Sequence, residues 1–351
     1  MLELKNISKD YDDFKLSNVN LQVEKGEYFV VLGTSGVGKS ILLETIAGFS
    51  QPDSGSIILD GIDITHNKIQ KRNLGFLHQK HSLFPHLSIY KNIQYGLNNF
   101  AISKKEKQKI INILADDFGI KHLLHRKPEA LSGGEIQRVS LARITAIKPE
   151  YILLDEPLSQ LDTYTSSEIR RLLRKINRRG VTIIHVTHNY EEAVSLAGKI
   201  AVMENGSIIQ TDYPEIIFKH PKSQFVANFI GIKNFIRGSL HEVHGSDVSR
   251  FSSNNINFHL LTDKEEGSGF LIIRSEDISI SKSKPKSSAL NVFKGIIIDI
   301  APARLGIEIT VDIGVELTSL ITRKSLNTLK LNTGREVWIN FKASAAKFLM
   351  E

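Results

Sequence analysis

Two hydrophobic rhythms alternate along the first two thirds of the chain. Short apolar runs rich in β-branched and aromatic residues read as strands at residues 2–7, 16–23, 28–32, 151–155 and 181–187. Between them, residues 39–47, 103–118, 134–146 and 166–177 read as helices. This alternation predicts a mainly parallel sheet covered by helices, an α/β core. Short helices at 214–219 and 223–229 close that part. From residue 234 onward the pattern is strands only, at 270–274, 292–300, 307–311, 317–322 and 337–341, separated by Gly, Ser, Asn and Asp clusters. The expected domains are therefore residues 1–231 and an all-β tail, 232–351. Within the tail, the polar, proline-broken SKSKPKSS at 281–288 reads as a dividing loop. FLIIRSEDISI at 270–280 also echoes VWINFKASAAKFL at 337–349, a strand followed by a polar turn, so two related β units are expected.

Composition narrows the class. A chain of 351 residues exceeds the roughly 250–300 at which single cores stop growing, so two or three domains are expected. With 41% hydrophobic and 24% charged residues it can bury a core and is not a disordered chain. No apolar run reaches the roughly 18–20 residues needed to span a bilayer, and MLELKNISKDYDD lacks a signal-peptide core; a cytoplasmic chain is expected. The lack of cysteine excludes disulfides, thiolate metal sites and cysteine nucleophiles. A net charge of +7 would suit nucleic acid, but the Lys and Arg residues are scattered among acids and no binding motif accompanies them, so no nucleic-acid partner is expected.

The chemistry-bearing motif is GTSGVGKS at residues 33–40, which follows a predicted strand and opens a predicted helix. Without side chains at Gly33, Gly36 and Gly38, the loop can turn its backbone N–H groups onto phosphates, and the helix N-terminus adds a favourable dipole. Thr34, Ser35, Val37 and Ile41 complete the expected nucleotide-contacting stretch. Lys39 would bring a point charge to the β and γ phosphates, and the Ser40 hydroxyl would be a Mg²⁺ ligand. More than a hundred residues on, YILLDEP at 151–157 is an apolar strand ending in two carboxylates, at the sheet edge where open α/β folds bind ligands. Asp155 is expected to hold Mg²⁺, and Glu156 to orient or deprotonate an attacking water.

At residues 131–137 the chain reads LSGGEIQ, followed by RVSLARI, and here it closely resembles the ATP-binding subunits of ABC transporters. The resemblance implies an α/β P-loop NTPase with a helical subdomain at about 80–145. Ser132, Gly133 and Gly134 would then contact ATP held by a second copy of the chain. Tyr11 matches the aromatic that stacks on adenine, and Gln79 the glutamine that senses Mg²⁺ and couples to the membrane subunit. Asp162 matches an acid bridging the two copies, and His188 the histidine at the γ-phosphate. Catalytic roles would thus fall to Lys39, Gln79, Glu156 and His188. Two positions depart from the common pattern, Gln160 for an alanine and Ile136 for Gln or Lys; neither removes a reacting group. Implied partners are a second copy, transmembrane permease subunits and, indirectly, an extracytoplasmic solute-binding protein, with the chain peripheral on the cytoplasmic face. Leu83, Phe84, Pro85 and Leu87, within residues 79–96, would suit a groove for a permease helix.

Residues 292–349 resemble the OB-like, molbindin-like barrel of molybdate- and tungstate-binding proteins, through ITRKSLNTLKLNTGREVW and INFKASAAKF. The first 230 residues are also similar to ATPases of oxyanion importers, in GEYFVVLG and HSLFPHLS. The resemblance implies molybdate or tungstate as cargo, with a molbindin-like unit at 290–351 that senses it and inhibits transport. Thr322, Lys324 and the preferred ligands Arg323, Ser325, Lys342 and Ser344 would supply hydroxyls and cations on strand-to-turn positions. Ala345 stands where a second serine is common. The alternative is a barrel that only dimerises the tails, as in importers of sugars, iron, sulfate or polyamines. The pairs His122/His125 and His241/His244 have metal-like spacing but no third ligand, so no metal besides Mg²⁺ is expected.

Overall fold

The computed structural model describes every residue except 12–13, 80–82, 244–246, 304 and 351, and the backbone alone of residue 228. It divides into two compact units, Met1–His220 and Pro221–Glu351.

In the first unit a six-stranded sheet runs in the order Ser207–Asp212, Lys199–Glu204, Tyr28–Leu32, Thr182–Thr187, Tyr151–Asp155, Leu74–Leu77. The last five of these are parallel to one another, and Ser207–Asp212 is antiparallel to its neighbour. YFVVL, YILLD and TIIHVT are buried at every position, as central parallel strands covered on both faces must be. Helix Lys39–Ala47 lays Leu42, Leu43 and Ile46 on this sheet, in one core with Phe29, Val31, Leu153 and Ile184. Buried Arg72 donates to the carbonyls of Thr45 and Ile46 at 2.8 and 2.7 Å, satisfying that helix's last turn. A four-stranded antiparallel sheet built on Leu2–Tyr11 and Phe14–Val23 turns Leu2, Leu4, Ile7, Leu16 and Val19 into the same core. Helices Ile89–Leu97 and Lys104–Asp117 pack on Gly133–Ala146.

Several elements carry no strong sequence signal: strands Ser54–Leu59, Leu74–Leu77, Lys199–Glu204 and Ser207–Asp212, and helix Ile89–Leu97. The helix expected from 166 starts earlier, as Thr163–Arg178, because Asp162 accepts from the backbone N–H groups of Tyr164 and Thr165. Among the described residues no helix is long and apolar enough to cross a membrane.

The second unit holds two five-stranded sheets. One runs Ile256–Leu260, Ser249–Ser253, Asn234–His241, Gly267–Ile273, Ala346–Met350; the other runs Glu316–Ile321, Gly306–Asp312, Asn291–Ala303, Glu336–Phe341, Ser279–Ser281. Both follow one plan, in which four consecutive strands take the order third, second, first, fourth. Each sheet's fifth strand is the one that follows the other's fourth. The two echoing sequences supply this exchange, each a strand, a 3-10 turn (Ser275–Asp277 or Ala343–Ala345) and a strand in the opposite sheet.

Two buried asparagines, the first residues of Asn234–His241 and Asn291–Ala303, tie the sheets together at matching points. Asn234 donates to the Thr318 carbonyl at 2.8 Å and accepts from the Thr318 N–H at 2.6 Å; Asn291 makes the same pair of bonds with His259, both at 2.7 Å. In contrast to the strand-to-turn expectation, Arg323 and Ser325 lie in a helix, Arg323–Leu329. The Thr322 hydroxyl accepts from the Ser325 N–H at 3.1 Å and caps its start, which favours the helix over an open turn.

Truncating either asparagine strands a buried N–H and a buried C=O, each costing about 1–3 kcal/mol. Asn234→Ala and Asn291→Ala should therefore each lower the urea midpoint of the tail's unfolding by an amount worth about 2–4 kcal/mol, and a loss below about 1 kcal/mol would contradict the clamp. His185 in the central sheet is fully buried with the Tyr28 hydroxyl 3.0 Å from Nδ1, and burial pushes its pKa down from 6.5 to about 3. The folded chain thus resists a proton that the unfolded chain takes up below pH 6.5, so stability falls as pH drops from 6.5 toward 3. Urea titrations between pH 6.5 and 5 should show His185→Gln with a slope shallower by up to one proton, about 1.4 kcal/mol per pH unit.

Candidate active site

The strand Tyr28–Leu32 delivers the chain into the 33–40 loop, where each glycine has a steric reason. A Cβ on Gly33 would lie 2.5 Å from the Met203 carbonyl oxygen, and one on Gly38 2.3 Å from the Phe14 ring. Gly36 and Gly38 also hold φ of +84° and +98°, the left-handed region that side chains disfavour. Thr34, Ser35 and Ser40 are exposed, Val37 is buried, and Ile41 packs partly against the core. Lys39 folds back along the loop, its buried ammonium donating to the carbonyls of Gly33 at 2.9 Å and Thr34 at 2.7 Å. Burial lowers its pKa while Glu156 and Asp155 oppose the shift, so the charge is held where it can be handed to phosphates.

Asp155 ends its strand buried and accepts from the Ser40 hydroxyl at 2.9 Å. Burial raises its pKa, against the Ser40 hydrogen bond that lowers it. At Glu156 the backbone turns left-handed, φ +44°, and its N–H donates to the Val186 carbonyl at 3.0 Å. This strained turn lifts the carboxylate out of the strand line. One carboxylate oxygen lies 2.9 Å from His188 Nδ1, and the other accepts from the Gln79 amide at 3.4 Å. Lys39, Ser40, Gln79, Asp155, Glu156 and His188 therefore share one edge of the sheet.

The remaining expected residues stand apart from this group. Tyr11 is partly exposed, donates to the Ser50 hydroxyl at 2.8 Å and lies under the Lys9 ammonium. Its hairpin reaches the loop through its register partner Phe14. Ser132 caps Gly133–Ala146 and is engaged with Glu135 in its own turn, the Ser132 N–H donating to that carboxylate at 2.8 Å. Asp162 caps the next helix, its pKa lowered by hydrogen bonds from Thr165 and neighbouring N–H groups. These two caps adjoin, since a Cβ on Gly134 would sit 2.4 Å from Thr165 Cγ2. Gln160 is exposed and Ile136 half-buried.

Sequence reasoning did not single out Thr187 and Glu192, which flank His188; only their spacing from the histidine could have flagged them. In the tail, Lys342, Ser344 and Ala345 line a cavity of about 490 Å³ together with Glu276, Asp277 and Asn340, whereas Arg323 and Ser325 are not in its wall. His122 is 3.8 Å from Glu135, and His244 lies outside the described residues. Among the described residues no group of three or more His, Asp or Glu side chains is placed to hold a metal ion.

A phosphate loop on a strand end, with an acid-tipped strand and a histidine-bearing strand beside it, defines a P-loop nucleotide hydrolase. Comparison with known proteins narrows the class. Residues 16–159 match the family described as ABC transporter, and residues 287–348 match the TOBE domain. The molybdate/tungstate import ATP-binding protein WtpC of Pyrococcus abyssi is 40% identical over 353 residues, 99% of each chain. The spermidine/putrescine import ATP-binding protein PotA of Chromobacterium violaceum is 36% identical over 307 residues, 85% of this chain and 84% of that one. A solved ATP-binding cassette, dimeric in a post-hydrolysis state with ADP and Pi, is 30% identical with a TM-score of 0.56, covering 61% of this chain and 99% of that one. The chain belongs to the ABC transporter family of ATP-binding proteins, with a TOBE domain at its C-terminal end, and it hydrolyses ATP in coupling to transport.

Glu156→Gln keeps the shape of the side chain and removes its capacity to take a proton, the part expected of Glu156 in hydrolysis. It should bind ATP normally and lose turnover by roughly 10²-fold or more. Rapid multiple turnover by this variant, measured as phosphate release, would contradict the role of Glu156.

Proposed function

We propose that the chain is the ATPase subunit of a molybdate or tungstate importer, working as a homodimer beneath transmembrane permease subunits on the cytoplasmic face. The observation that carries the cargo is the reach of the similarity. Two of the relatives described as molybdate/tungstate importers, 40% and 41% identical, align over 99% and 98% of this chain, barrel included; a third, 41% identical, aligns over 84%, and the polyamine and iron ones, 36–40% identical, align over 69–85% of it.

Hydrolysis follows from the chain's own groups. Phosphates entering the loop take over the Lys39 ammonium from the Gly33 and Thr34 carbonyls. Ser40 and Asp155, hard oxygen donors already 2.9 Å apart, fit Mg²⁺, which when bound neutralises charge on the β and γ phosphates. Glu156 takes the proton of the attacking water, and His188 and Gln79 hold one carboxylate oxygen each. Ser132 to Gly134 and Asp162 face the ATP of the second copy. Two features support this: Ser132 bonds within its own turn, and the similar solved cassette is described as dimeric. Turnover then requires dimer closure, which converts a local reaction into movement of the permease. Leu83, Phe84, Pro85 and Leu87 offer the permease apolar anchors, the Phe84 ring backed by Tyr95 at 4.5 Å and by the Arg143 guanidinium. An extracytoplasmic solute-binding protein would deliver cargo to the permease.

The barrel is read as a sensor by which internal oxyanion restrains the ATPase, with Lys342 and Ser344 in one cavity and Arg323 and Ser325 at a helix start. A second reading, a tail that only dimerises, is favoured by Glu276 and Asp277 in that same cavity, because two carboxylates oppose a dianion. Titrating molybdate and tungstate into the full-length protein separates them. The sensor reading expects calorimetric binding at micromolar concentration together with reduced ATP turnover; absence of heat would overturn it in favour of the structural tail.

A further inference from the structure

We propose that Glu192 is a positioning residue for the hydrolytic histidine, holding the turn that carries His188 through the hydroxyl of Thr187. The inference rests on the reading of His188 and Glu156 as partners in hydrolysis.

His188 is itself nearly half exposed, so its place is set by its Glu156 contact and by the backbone on either side rather than by packing. Thr187, the last residue of its strand, is tied to the phosphate loop, its carbonyl accepting from the Gly33 N–H at 3.3 Å. Its hydroxyl donates to the Glu192 carboxylate at 2.8 Å and accepts from the Asn189 N–H at 3.0 Å. The Asn189 side chain in turn accepts from the Glu192 N–H at 3.1 Å, capping Tyr190–Leu196. Three hydrogen bonds thus close a ring around His188. A hydroxyl has one proton and two lone pairs and turns freely about its C–O bond, so a group that takes the proton fixes the Thr187 hydroxyl with a lone pair toward the Asn189 N–H. Glu192 is that group.

The surroundings of Glu192 mark it as an acceptor rather than half of a salt bridge. Its side chain is 13% exposed, and the His185 ring behind it, Nε2 at 3.9 Å, is held neutral by burial. His185 Nδ1 faces the Tyr28 hydroxyl, and His185 Nε2 has no hydrogen-bond partner among the described residues. Burial is the largest influence on the Glu192 carboxyl and raises its pKa; the Thr187 hydrogen bond, His188 and Arg170 oppose that rise, and Glu156 adds to it. An uncharged acceptor of the same shape should therefore serve.

Steady-state ATPase kinetics on the full chain tests this with Glu192→Ala, Glu192→Gln and His188→Ala. Glu192→Ala should cut kcat by about tenfold or more with KM for ATP within about threefold, since Lys39, Ser40 and the loop are untouched, and Glu192→Gln should stay within about threefold of the parent. Should Glu192→Ala fail to fold, Thr187→Val removes the same link and is expected to show the same kcat loss. Full turnover by Glu192→Ala, or by Thr187→Val in its place, beside an inactive His188→Ala overturns the proposal and leaves the hydrolytic reading standing. Equal losses in Glu192→Ala and Glu192→Gln, or a rise in KM matching the fall in kcat, also overturn it. Full turnover by His188→Ala overturns the hydrolytic reading itself.

Discussion

The register of three parallel strands governs the rest of the first unit. Leu32 lies beside Thr187, and Asp155 beside Val186, so three segments far apart in sequence end at one edge of one sheet. Two backbone hydrogen bonds continue the ladder past the strand ends, Gly33 N–H to Thr187 and Glu156 N–H to Val186. A slip of one residue would turn each strand's side chains to the opposite face and part Ser40 from Asp155 and Glu156 from His188. The strands are held in register by burial on both faces, so the geometry of this edge is a consequence of the core.

Around that edge, burial and polarity are balanced so that the site stays charged without being satisfied. Lys39 is buried against carbonyls that a phosphate can replace, and Asp155 is buried against a hydroxyl that can turn to a cation. Among the described residues neither group has an ion pair of its own, so a polyphosphate and a divalent cation would relieve a desolvation cost. Glu156 differs. It is partly exposed and positioned by a left-handed backbone, which suits the role proposed for it of meeting water.

The barrel shows another way to unite distant segments. Each of its two sheets is completed by a strand from the other repeat, and each repeat's leading asparagine clamps the other's third strand. With both devices doubled, neither half buries its apolar face alone, which explains a single core running from Ile236 to Phe348.

The sequence by itself determined the α/β core, the β tail and the phosphate loop, because these depend on local patterns: continuous apolar runs, glycines at fixed spacing, a strand ending in acids. It also carried the strand-and-turn echo at 270–280 and 337–349, but the exchange built from it is a pairing of distant strands. Short half-buried strands such as Ser54–Leu59 and Leu74–Leu77 were illegible, since they exist by pairing with distant partners rather than by their own pattern. The helix after Thr322 was missed because its cap is a single hydroxyl contact. The ring around His188 was beyond reach for the same physical reason. Thr187, Asn189 and Glu192 are ordinary polar residues in sequence, and only the fold, by setting a helix start against a strand end, gives one hydroxyl its two partners.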